Sequence, residues 1–386
     1  MVVFSADAVS TDGEVLPVKN GKQMKPNEFN DMSKTPNTEI KSGANAIRAY
    51  STLIGFLTAL APWVIIGVLL WAGLFIKPVA TTQPVEPPVI DRRDHFYGVS
   101  YQDSDYVWAV GSKGKIIRTD AKNENWSQQS SGTSSHLQSI ATWDSRSAVV
   151  VGNSGTVLVT ADQGETWRSV DAPKSEISNK FLRVRIFNDN SAWIVGELGA
   201  ILQSTDKGLT WNRMRPEEDI GWNDVASKNG QRILVVGERG RILLSEDQGS
   251  SWLEMDSQVT SSLTAVKFGE GDQAVAVGLE GVVITSDDGG RTWRRAETNV
   301  LESDQEHLFD VAWLKEENSW VAVGNQGMFL KAAGDANKWQ FNDVFKGTGM
   351  WMTHIDGSGS QAYVSGRGLA KLDLQAMTLK FSDRTN

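Results

Sequence analysis

Four aspartates, Asp162, Asp206, Asp247 and Asp288, recur in one frame, Ser/Thr-x-Asp-x-Gly-x-Ser/Thr-Trp, closed by Trp167, Trp211, Trp252 and Trp293. A carboxylate can serve as general acid or base, as a nucleophile toward a sugar, or as a calcium ligand. Four equivalent copies suit none of these roles. A single active site is not built four times over, and each copy offers one good carboxylate where Ca²⁺ wants about six to eight oxygens. The spacing suits a hairpin instead. Asp accepts hydrogen bonds from turn amides, Gly takes the left-handed position, and Trp anchors the loop in an apolar layer. These eight residues are therefore read as structural.

Other reactive side chains are thinly spread. His95, His136, His307 and His354 show no metal-ligand spacing, and no metal or cofactor is expected. The aspartate frame matches the Asp-box of bacterial neuraminidases, which makes a sialidase-like glycan hydrolase the enzymatic alternative. Such an enzyme needs three arginines converging on a carboxylate, a tyrosine paired with a glutamate, and an aspartic acid. Tyr97, Tyr101 and Tyr106 cluster early, Tyr363 lies late and Tyr50 sits in an apolar run. No Phe/Tyr-Arg-Ile-Pro segment precedes the first Asp-box; the chain there reads Phe96-Tyr97-Gly98-Val99. No residue is assigned a catalytic role, and no small-molecule substrate is expected. The net charge is −9, without a basic stripe, which argues against nucleic-acid binding.

Tryptophans of the same kind set the architecture. Trp126, Trp167, Trp211, Trp252, Trp293 and Trp339 are spaced 41, 44, 41, 41 and 46 residues apart. Each is preceded by Val-Gly-x-x-Gly, with first glycines at Gly111, Gly152, Gly196, Gly237, Gly278 and Gly324. A worn seventh copy runs over Ala362–Leu374, with Ser365 placed at the first glycine and Gly368 at the second. A period of about 40–50 residues with several short strands per unit indicates a β-propeller. In the fifth copy Leu263–Phe268, Ala274–Val277, Val282–Thr285 and Trp293–Ala296 read as four strands. The expectation is an all-β, seven-bladed propeller of four-stranded blades, with the fourth and fifth divided near Met255–Ser262. Each pair of glycines is expected to supply positive φ or close backbone approach.

Upstream, Tyr50–Ile76 is 27 residues without a charge, enough to span a bilayer as one helix. Its length and the 49 residues before it argue for a retained anchor over a cleaved signal. Lys34, Lys41 and Arg48 outnumber Lys77 at its flanks, which favours a cytoplasmic N-terminus and a periplasmic propeller at the inner membrane. The chain divides into a disordered tail (1–49), a transmembrane helix (50–76), a Pro-rich linker (77–93) and the propeller (94–386). The chain has no cysteine.

From Asp94 to Phe381 the repeat x-A-V-G-x-x-G-x-I-x-x-S/T-x-D-x-G-x-T-W resembles the BNR-type propellers of the photosystem II stability/assembly factor family. Trp108–Trp126, Val149–Trp167 and Val275–Trp293 carry it. The resemblance implies a non-enzymatic accessory or assembly protein for an integral membrane complex. The retained span and the missing lipobox cysteine favour the branch associated with resistance-nodulation-division (MMPL-like) transporters, with a photosystem-type assembly factor as the alternative. Related propellers gather arginines on one face, so Arg118, Arg239, Arg241 and Arg367 are candidate partner-binding residues. In the span, Ser51, Gly55 and Ala59 form a small-residue stripe that would allow a partner helix to approach, and Pro62 is expected to kink the helix.

Overall fold

The computed structural model describes residues 42–76, 88–102, 106–120, 125–301, 304–345 and 347–382. The expectations for the tail before Ser42 and for the linker over residues 77–87 lie outside them. The chain separates into two units, residues 1–85 and 86–386.

The first unit holds one helix, Ser42–Phe75, unbroken through Pro62. It starts eight residues before the expected boundary at Tyr50. Tyr50–Phe75 is long and apolar enough to cross a membrane, with mean hydropathy 2.4. Its large side chains are exposed, from 43% at Leu60 to 72% at Trp63 and Leu74. A helix apolar on all sides suits a lipid solvent rather than water.

The second unit is a ring of seven antiparallel sheets. The innermost strands are Phe96–Gln102, Leu137–Thr142, Phe181–Ile186, Trp222–Lys228, Leu263–Phe268, Leu308–Leu314 and Met352–Ser358, for blades 1 to 7. Within each blade the strands follow in sequence from axis to rim. Second strands such as Ala274–Gly278 and Ala148–Gly152 are wholly buried, as apolar runs packed on both faces must be. Blade 6 gains a fifth strand, Glu297–Thr298, which pairs in parallel with its rim strand Lys338–Phe341. Blade 7 keeps four strands of its own, ending in Thr378–Phe381, so the ring closes without strand exchange. Thr353 Oγ1 donates to Phe96 O at 3.2 Å and Tyr101 N to Asp356 Oδ2 at 2.9 Å across that seam. Val89 and Ile90, read as linker, pack against the blade 1 cluster of Phe96, Val99 and Tyr363.

One backbone contact recurs seven times. The amide after the first glycine donates to the carbonyl just before the innermost strand, from Ser112 N to His95 O at 2.9 Å through Arg367 N to Trp351 O at 3.2 Å. A Cβ on any of these glycines would come closer than 3.0 Å to that carbonyl. Their φ is extended, so close approach is what requires glycine. The second glycine supplies positive φ, +66° at Gly281. The residue between is also left-handed, including Arg239 at φ +58° and Glu280 at +59°. In blade 7 the equivalent of the first glycine is Gly366, not Ser365. Gly366 pairs with Met352 as Gly324 pairs with Leu308. The turn there is two residues shorter, closed by Gly366 N donating to Gly368 O, and this moves the sequence alignment by one.

At the opposite end the Asp-boxes form identical loops. Ser286 Oγ accepts from Gly290 N and donates to Asp288 Oδ1, both at 2.8 Å. Asp288 Oδ1 accepts from Thr292 N at 2.9 Å and Oδ2 from Thr292 Oγ1 at 2.6 Å. Asp162, Asp206 and Asp247 repeat the pattern. Trp211, Trp293 and Trp339 are buried, and each indole N–H donates to the carbonyl three residues back. Trp126, Trp167 and Trp252 are only half-buried, yet all six rings join clusters shared with the preceding blade.

Two predictions follow from these loops. Gly278→Ala should lower stability by about 1–3 kcal/mol through forced backbone displacement, read as the urea midpoint. Gly368→Ala, where an added Cβ meets nothing within 4 Å, should stay within about 0.5 kcal/mol of wild type; equal midpoints for the two would contradict the close-approach assignment. Burial opposes the ionised form of Asp288, but hydrogen bonds from Thr292, Ser286 and Arg291 N outweigh it and lower its pKa from 3.8 to about 2. A depressed folded pKa stabilises above the ordinary value and is lost as pH falls toward the folded one. Asp288→Asn should therefore lower the thermal midpoint at pH 7 and match wild type more closely near pH 2. An equal deficit at both pH values would argue against it.

Candidate functional site

Every innermost strand begins with a β-bulge. In blade 1 Phe96 pairs with Gly111 and Gly98 with Val110, which leaves Tyr97 unpaired. The other blades skip Gln138, Leu182, Asn223, Thr264, Phe309 and Thr353 in the same way. A bulge re-aims the unpaired side chain. Here these seven residues line one cavity of about 180 Å³ on the axis, at the glycine-turn end, and Arg183 is the charged residue among its walls. Sevenfold repetition of a backbone irregularity has thus built an axial mouth with a different side chain from each blade.

The next residue along each strand forms a second ring: Gly98, Ser139, Arg183, Asp224, Ala265, Asp310 and His354. Three of them latch neighbouring blades. Ser139 Oγ accepts from Val184 N at 3.3 Å, Asp224 Oδ2 from Val266 N at 3.2 Å, and Asp310 Oδ2 from Ile355 N at 2.9 Å. Asp224 and Asp310 are fully buried, which demands compensation. Arg185 supplies it, with Nε and Nη2 at 3.1 and 3.0 Å from the two oxygens of Asp224 and Nη2 at 3.4 Å from Asp310 Oδ1. His354 Nδ1 stands 2.8 Å from Asp310 Oδ2. Burial alone would raise both aspartate pKa values. Arg185 and Arg183 overcome it at Asp224, while His354, Arg183 and Arg185 do so at Asp310, so both stay ionised. Burial drives the His354 pKa down, against the pull of Asp310, and its Nδ1 lies in contact with both Asp310 Oδ2 and Arg183 Nη1.

The four arginines singled out in the sequence do not form one patch. Arg118 lies at the Asp-box end, where it stacks over the Tyr106 ring at 4.1 Å and donates to Gln163 Oε1 at 3.1 Å and Ser145 O at 3.2 Å. Burial lowers its pKa. Arg241 is at the glycine-turn end, paired with Glu254 at 2.6 Å and with Glu218, and it lies over Trp222. Arg239 and Arg367 are exposed at the turn tips of blades 4 and 7. Ser51, Gly55 and Ala59 are exposed on the helix, and a Cβ on Gly55 would meet nothing within 4 Å. Among the described residues no three His, Asp or Glu side chains gather as metal ligands.

Sequence reasoning missed the axial residues. The signal was present as a column: Leu-Arg-Val-Arg in blade 3, Asn-Asp-Val in blade 4, Phe-Asp-Val in blade 6 and Thr-His-Ile-Asp in blade 7 place charges inside otherwise apolar strands. Arg183, Asp224 and Asp310 fall at one position of that column.

The model of the family described as "Photosynthesis system II assembly factor YCF48" matches residues 118–220. No curated protein matches the chain. Among solved structures, the chain is similar to YCF48 bound to D1 peptide, with 18% identity and TM-score 0.59 over 76% of this chain and 96% of that one. It is similar also to YCF48 from Cyanidioschyzon merolae, at 14% identity and TM-score 0.59, covering 73% and 96%. The GH74 xyloglucanase from Xanthomonas campestris aligns at 15% identity and TM-score 0.60, covering 76% of this chain and 55% of that one. Identities this low speak for the fold alone. Together with the sevenfold sheet topology, they make the globular part of this chain a BNR-type seven-bladed propeller.

Proposed function

We propose that the chain is a non-catalytic, membrane-anchored propeller that helps to assemble or accompany an integral membrane protein complex by binding part of a partner polypeptide. The observation that carries this is the match of residues 118–220 to an assembly-factor family, on a propeller similar to one captured with a peptide bound. The chemistry of the acids supports it. Asp224 and Asp310 are saturated by arginine, histidine and backbone donors, and the Asp-box carboxylates by hydroxyls and turn amides. Carboxylates so engaged serve the structure of a turn or a blade seam.

The apolar helix gives the rest of the reading. As an uncleaved single span with its N-terminus in the cytoplasm, it would hold the propeller beside its partner at the outer face of the inner membrane, and tethering raises local concentration without new contacts. A resistance-nodulation-division transporter is the partner that the retained span favours, while the family match favours an assembly client of the photosystem kind. The exposed arginines Arg239 and Arg367 would meet an acidic partner surface, and the Ser51, Gly55 and Ala59 stripe a partner helix.

Affinity purification of the full chain from detergent-solubilised membranes is expected to bring down an integral membrane protein in fixed ratio. Gly55→Leu, which blocks helix approach without reducing hydrophobicity, should lower that yield severalfold while membrane insertion is unchanged. Recovery of the propeller free of any membrane protein would contradict the assembly role. Wild-type yield from Gly55→Leu would remove helix packing from it and leave the propeller face to hold the complex.

A further inference from the structure

Arg183 balances a buried carboxylate at the axis but leaves hydrogen-bond donors unused. The two buried carboxylates that face it take their hydrogen bonds from other groups. Asp224 Oδ1 accepts from Arg185 Nε and Val225 N, and its Oδ2 from Arg185 Nη2 and Val266 N. Asp310 Oδ2 accepts from Ile355 N and is in contact with His354 Nδ1, and Oδ1 takes Arg185 Nη2. Arg183 reaches them only at 3.6 Å, from Nε to Asp224, and 3.7 Å, from Nη2 to Asp310, beyond hydrogen-bond distance. Its Nη1 is in contact with His354 Nδ1. Arg183 is 6% exposed and its Nε has no hydrogen-bond partner. A guanidinium carries five donors, and leaving buried donors unmade is costly.

Arg183 is a wall of the axial cavity. Tyr97 and Phe309 line the same cavity with rings and Leu182 with an aliphatic chain. The Tyr97 hydroxyl has no hydrogen-bond partner among the described residues. Its pKa is raised by burial, so it stays a neutral donor. At about 180 Å³ the cavity is smaller than a drug-sized site and has room for one side-chain-sized group.

We infer that the axial mouth is a binding site for a carboxylate borne on a small apolar or aromatic body, with Arg183 as the anion partner and Tyr97, Leu182 and Phe309 enclosing the body. The same chemistry comes from two sources, a free organic acid or the last residue of a polypeptide. The site stands whether or not the propeller serves a membrane complex.

The test titrates the full chain in detergent micelles with 3-phenylpropanoate and with its neutral amide, by ligand-observed NMR or calorimetry. The acid should bind saturably and the amide at least tenfold more weakly. Arg183→Gln should erase that difference, and Arg183→Lys should restore part of it. Leu182→Trp, which fills the mouth and leaves every charge in place, should abolish binding of both and guards against Arg183→Gln failing to fold. A hexapeptide ending in Phe with a free carboxylate, compared with its C-terminal amide, separates the sources. Competition by the free-carboxylate peptide alone assigns a polypeptide terminus, and no competition assigns a free acid. The inference is overturned if neither probe saturates, if acid and amide bind alike, or if acid binding survives Leu182→Trp.

Discussion

Seven backbone hydrogen bonds, each from the amide after a glycine to the carbonyl before an innermost strand, set the geometry on which the propeller depends. The carbonyl and the glycine Cα stand so close that no side chain fits between them. That contact draws the start of the inner strand against the turn, and the ladder takes up the slack as a bulge. One constraint therefore fixes the blade shape, the tight turn and the direction of the residue that faces the axis. The Asp-boxes act at the other end, where a carboxylate gathers the amides of a loop and a tryptophan ties it to the blade before.

The ring also explains how charges survive at its centre. A buried aspartate is unfavourable unless several donors converge on it. Asp224 and Asp310 meet that demand with backbone amides from the following blade, so each carboxylate joins two blades while Arg183 and Arg185 together balance the pair. Breaking one such latch would both open a blade seam and strand a charge. The arrangement leaves Arg183 with donors to spare beside the axial cavity.

Much of the fold was legible in the sequence, because repeated Gly and Trp at a near-constant spacing report local geometry. The blade count, the strands of the fifth copy and the division before Leu263 agree with the structure. The seventh copy was misaligned by one residue, since its turn is shorter and the motif had no second anchor. The axial site was not read at all. Arg183 and Asp310 are 127 residues apart, and only ring closure brings their strands together. Arg118 was grouped with the other three arginines for a related reason. Position within a repeat does not tell which end of the blade a side chain faces, and Arg118 lies among the loops of the next blade while Arg239 caps a turn at the far end.

If the propeller binds its partner through the glycine-turn end, contact must be polarised. A photo-crosslinking amino acid placed at Phe309, on the rim of the axial mouth, and separately at exposed Leu209, in an Asp-box loop, tests this in intact membranes. The account predicts an adduct with an integral membrane protein from position 309 and none from position 209. An adduct from Leu209 alone, or adducts of equal yield from both, would contradict it.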